Sequence, residues 1–143
     1  MDAILNETVN DKGLRNLIKL FSQKMPSVKV GILADHNSRN DGHYNATIGA
    51  IHEFGSPKKR IPMRSFLRVP LMDNLQKAVD KIKKQKTLSI TELINQIGLF
   101  AVGIVQAAFH NEGYGKWFRT KKQGNTLVDT AQLRDSISYE VVQ

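Results

Sequence analysis

Residues 51–71, IHEFGSPKKRIPMRSFLRVPL, hold the side chains of this chain that are best placed by type to do chemistry. His52 and Glu53 could act as an acid–base pair or as metal ligands. A zinc-protease helix needs a second histidine one turn later, so that both rings reach one ion. Gly55 and Ser56 stand there instead. His36, His43, Asp35 and Asp41 supply further donors, but their spacing matches no ligand pattern. There is no Gly-x-Ser-x-Gly elbow and no phosphate-binding glycine loop. With no cysteine, thiolate catalysis and disulfides are excluded too. The expectation is a protein that is not an enzyme and uses no cofactor or metal. Glu53 is expected to pair with Arg64 or Arg68, and His52 to be half-buried with one ring nitrogen satisfied.

The second chemical feature is charge. The formal net charge of +8 resides between Ser56 and Lys86, where ten cations, beginning with Lys58, Lys59 and Arg60, face only Asp73 and Asp80. Further on, Lys116, Trp117, Phe118, Arg119, Lys121 and Lys122 alternate cations with rings, a pattern that suits single-stranded nucleic acid. These residues are candidate contacts to nucleic acid or to neighbouring subunits. The plainer reading is that Trp117 and Phe118 pin a loop to the body or to a neighbouring subunit.

The elements that must position these residues form one domain, since 143 residues suit a single core. Leu14, Leu17, Ile18 and Phe21 predict an amphipathic N-terminal helix, and VKVGIL, residues 28–33, a strand. A helix follows with Asn45 as N-cap and Gly55 as its stop. Pro70 opens a helix whose apolar stripe is Leu71, Leu75, Ala78, Val79 and Ile82. Ser89 and Glu92 form a capping box for a longer, central helix, with Phe100/Ala101 in its apolar stripe. Its most apolar run, Ile97 to Phe109, falls short of the roughly 20 residues that span a bilayer. Asp129 is expected to cap a short helix before the strand ISYEVV. The fold class is therefore α+β: a small antiparallel or mixed sheet packed on several helices, with long flexible loops at about 34–45 and 111–128. The N-terminus has no apolar stretch of signal-peptide length, so the protein is expected to be soluble and made in a cytoplasm.

Two blocks together resemble a known family. Ile48-Gly-Ala-Ile-His-Glu-Phe-Gly leads to Ile61-Pro-Met-Arg-Ser-Phe-Leu-Arg, and Leu127-Val-Asp-Thr-Ala-Gln-Leu-Arg-Asp-Ser-Ile-Ser-Tyr-Glu-Val follows. In order and spacing they resemble the virion-morphogenesis, or tail-completion, family of tailed bacteriophages over about residues 28–143. Ser65 stands where that family usually has proline, and Ala131 where it usually has glycine. The resemblance implies a late structural virion protein of the neck or upper tail, made in the bacterial host cytoplasm, that acts in head–tail joining. It implies a homo-oligomeric ring, hexameric to match tail symmetry, between the connector or stopper and the tail-tube or tail-terminator proteins. DNA passing through the lumen is a further implied partner, and no membrane is. By the same resemblance, His52, Glu53, Phe54 and Gly55 end a helix and turn the chain. Pro62, Arg64, Phe66, Leu67 and Arg68 set a corner that launches the lysine-bearing helix. Asp129 and Thr130 cap the last helix, Leu133 seats it, and Ser136 begins the closing strand. The alternative is a small basic nucleic-acid-binding protein that uses residues 56–86 and the Trp117 loop.

Overall fold

A computed structural model describes residues 11–22, 25–85, 88–118 and 131–143. Five helices and two strands run in the order α1 (Asp11–Ser22), β1 (Ser27–Ile32), α2 (Asn45–Phe54), α3 (Arg68–Lys83), α4 (Ile90–His110), α5 (Gln132–Asp135) and β2 (Ile137–Val142). This is the expected α+β class, with a two-stranded sheet among the described residues. β1 and β2 pair antiparallel with Ser27 opposite Val142 and Ile32 opposite Ile137. Side chains alternate along a strand, so Val28, Val30, Ile32, Ile137, Tyr139 and Val141 share one face. Lys29 and Glu140 lie opposite one another on the other face.

α4 organises the core. The capping box fixes its start: the Ser89 hydroxyl accepts from the Glu92 N–H, and the Glu92 carboxylate accepts from the Ser89 N–H at 2.8 Å. The helix packs against α3 and both strands. Its Val105, Ala108 and Phe109 are fully buried with Phe66, Trp117, Leu133 and Ile137. Ring centroids of Phe66 and Phe109 are 5.2 Å apart, and Phe109 meets Trp117 edge-on at 5.8 Å. Such pairs add about 0.5–1.5 kcal/mol each beyond the area they bury. At 21 residues α4 is longer than the apolar run visible in sequence and reaches bilayer-spanning length. Its packing on three elements accounts for its apolar inner face. The opposite face differs from expectation, because Phe100 is exposed, as is Leu99. Ala101 alone carries the stripe inward at that turn.

Three local expectations change. The N-cap of α2 is Tyr44, not Asn45, and Tyr44 provides no side-chain cap. Asn37 supplies it from the preceding loop, its side-chain oxygen accepting from the Ala46 N–H at 2.8 Å. Asn45 is buried and tethers that loop, donating to the His36 carbonyl and accepting from Arg39. α5 begins after Ala131, which holds φ 56°. Asp129 and Thr130, the expected caps, lie outside the described residues, as do Arg119, Lys121 and Lys122. On α1, the apolar side chains Leu14, Leu17 and Ile18 are all exposed.

Candidate functional site

The Glu53 corner is built from backbone demand. Helix α3 starts without a cap of its own: Leu67 precedes it and contributes no side-chain hydrogen bond. The first N–H groups of any helix have no partner within it. Here the Glu53 carboxylate, 5 % exposed, accepts from the N–H groups of Phe66 (3.0 Å), Leu67 (3.0 Å) and Arg68 (3.1 Å). It also accepts from the Ser65 hydroxyl at 2.7 Å, and that hydroxyl in turn accepts from the Val69 N–H at 3.0 Å. Pro70 has no N–H to satisfy, and the Leu71 N–H reaches the Leu67 carbonyl. Every donor of the first turn is thereby matched.

A carboxylate at a helix N-terminus also gains from the helix dipole. Hydrogen bonds to an ionised acceptor are about twice as strong as neutral ones. Together these effects allow a charged group to sit in a nearly closed pocket without a cation. The expected pairing of Glu53 with Arg64 or Arg68 is therefore replaced by capping. The Arg64 Nε donates to the Phe118 carbonyl at 3.0 Å, and Arg68 is exposed.

The rest of the corner locks this geometry. Gly55 ends α2 with φ 74°, and a side chain there would meet the Met63 backbone at 2.9 Å. The Arg64 N–H donates to the His52 carbonyl at 2.7 Å, which folds the chain back on α2. Phe66 is 2 % exposed and Leu67 packs on the core, as expected of anchors; Pro62 is half-buried, and Phe54 points outward. His52 is half-buried, as expected. Its Nδ1 is buried with no hydrogen-bond partner, and burial, aided by the Arg64 charge, holds its pKa below the usual 6.5.

Trp117 belongs to the core. The indole is 8 % exposed and donates from Nε1 to the Ser65 carbonyl at 2.9 Å. It lies over Gly113, whose φ of 64° and missing Cβ let the ring approach. A ring so enclosed cannot stack on a base. Phe118 is exposed, and Lys116 pairs with Asp73 of α3. Trp117 therefore pins the loop to the body, whereas Phe118 is not held there.

The remaining cations form a projecting tip. Ser56 and Ile61 exchange both backbone hydrogen bonds, and between them Pro57–Lys59 makes a 3-10 turn closed by Arg60 at φ 54°. Lys58, Lys59 and Arg60 are exposed there. Lys77, Lys81 and Lys83 lie exposed along α3, and Lys84 follows them. The closing block reaches the same core from the other side. Leu133 is buried, and Ser136 donates its hydroxyl to the Leu133 carbonyl at 2.6 Å before β2 starts at Ile137.

Glu53 drew attention in the sequence through its neighbour His52, but its partners are backbone groups and carry no residue signature. Ser65, the bridge between Glu53 and Val69, was legible only as a departure from the proline of the resembled family. Asn37 was hidden among loop asparagines, and Asn45 stood out only as the expected N-cap of α2. Among the described residues, no three His, Asp or Glu side chains gather in a way that could hold a metal ion. Comparison with protein-family models, curated proteins and solved structures finds no match.

Proposed function

We propose that this protein is a structural component of a tailed-phage neck or upper tail that acts in tail completion or head–tail joining as a homo-oligomeric ring. The observation that carries the reading is where the motif residues go. Glu53, Gly55, Phe66, Leu133 and Ser136 are all used in holding the chain's own corners and core. The side chains that resemble the family's blocks are scaffold, and that division suits a part whose work is to present surfaces. The surfaces it presents are of two kinds: exposed apolar side chains on ordered helices, Leu99 and Phe100 among them, and the basic tip at Lys58–Arg60. A ring in the neck has use for both, the first against neighbouring subunits and the second against acidic rings or DNA in the lumen.

The test is electron microscopy of lysates from a phage that carries this gene, with the gene inactivated. Filled heads beside unattached tails are the expected result. Normally joined particles would overturn the reading and leave the basic tip and Phe118 as a nucleic-acid surface. In that case, affinity for DNA should fall steeply with salt, because phosphate contacts release counterions.

A further inference from the structure

We infer that the two-stranded sheet continues from one copy of the chain into the next, the free edge of β2 pairing antiparallel with the free edge of a neighbour's β1. Among the described residues, each strand has a single strand neighbour, so each keeps one outer row of N–H and C=O groups without a ladder. Exposed edges of this kind template pairing with another chain.

Three features say which edge meets which. Lys29 of β1 and Glu140 of β2 are exposed on the same face and form no ion pair within the chain. Setting a β2 edge against a β1 edge brings Glu140 beside the neighbour's Lys29, an opposite-charge pair. Setting β2 against β2, or β1 against β1, places like charges opposite or one pair apart, which is unfavourable. The inner face agrees, since Tyr139 and Val141 would be followed by the neighbour's Val28 and Val30 without a break in the apolar layer. Finally, a polar groove of about 450 Å³ runs beside Ser138, Tyr139 and Glu140, walled by Leu33 to His36. The Ser138 hydroxyl beside it is buried without a hydrogen-bond partner. A β2-to-β1 contact uses two different surfaces, and head-to-tail contacts of that type build rings when the rotation from copy to copy closes and filaments when it does not. This inference rests on the ring reading above and names the surface that would build it.

The native chain has no cysteine, which permits a clean test. Full-length Lys29→Cys carrying a tag and untagged Glu140→Cys are each folded, mixed and oxidised, and each single variant is oxidised alone. Directly paired strand positions are about 4.5–5.5 Å apart at Cα, within disulfide range. With one cysteine per chain, every disulfide is intermolecular. The expected result is a tagged–untagged disulfide several-fold in excess of either homodisulfide, in the purified protein and in joined particles complemented with both variants. A Glu140→Cys homodisulfide in excess would overturn the inference. Oligomers or joined particles without the mixed disulfide would overturn it and leave the ring reading standing. A chain that stays monomeric and is missing from joined particles would overturn both.

Discussion

The Glu53 corner and the two-stranded sheet use the same kind of group, a backbone N–H without a helix or ladder partner, and treat it in opposite ways. At the corner, four main-chain donors and one hydroxyl are matched inside the chain by Glu53 and Ser65. Along the sheet, among the described residues, each strand's outer edge has no ladder partner. The difference follows from burial. A buried donor left unpaired costs about 1–3 kcal/mol, whereas water satisfies an exposed one. Groups enclosed by the core must be satisfied within the fold, and only exposed groups remain free to be satisfied by another molecule.

Substitutions can break this contrast, and the largest effect should be at the corner. Glu53→Ala leaves a hydroxyl and the N–H groups of Phe66, Leu67 and Arg68 enclosed without an acceptor. A loss of about 3–5 kcal/mol is expected, the cost typical of removing one partner from a buried charged network. Glu53→Gln keeps one acceptor but turns an NH2 towards donors, and should lose about 1–3 kcal/mol. Urea unfolding should show both as a lower midpoint with unchanged slope. An effect of Glu53→Ala below that of Glu53→Gln would mean that the carboxylate is not the cap.

Next in size is the junction of sheet and helix. A methyl added at Gly98 of α4 would sit inside the Tyr139 ring. Gly98→Ala gains up to about 1 kcal/mol of helix propensity, yet overpacking of this kind costs about 1–3 kcal/mol. Net destabilisation is expected, and pairing Gly98→Ala with Tyr139→Ala should recover the propensity gain. Stabilisation by Gly98→Ala alone would show that the sheet is not held firmly on α4.

A smaller effect is expected at Ala131, held at φ 56°. The left-handed region costs an L-residue about 1–2 kcal/mol, while glycine loses about 0.4–1 kcal/mol through the unfolded chain. Ala131→Gly should therefore raise the thermal midpoint slightly, by up to about 1 kcal/mol in stability.

The mildest test is pH. The His52 pKa lies below 6.5 in the folded protein, first through burial and then through Arg64. The unfolded chain therefore takes up the proton first as pH falls. The His52 contribution is fully present above the unfolded value, weakens as pH drops below about 6.5, and is lost on passing the lowered native value. Thermal melts across this range should show the decline, and His52→Gln should flatten it.

The sequence by itself determined the class and most elements, because periodicity and caps are local. The Ser89 and Glu92 capping box, the two β-branched strands and the proline-opened α3 depend on neighbours a few residues away, and each forms where the pattern places it. Phe66 and Leu133 were expected as anchors through the family resemblance, and both are buried. Tertiary structure alone decided the rest, where a residue's role depends on groups that carry no side-chain signature. Glu53 meets main-chain N–H groups 13 to 15 residues away, and Trp117 meets a carbonyl 52 residues away. A backbone donor is the same in every amino acid except proline. No pattern of residue types could tell the charge of Glu53 that its partner was a helix end, or tell the Trp117 ring that it belonged to the core.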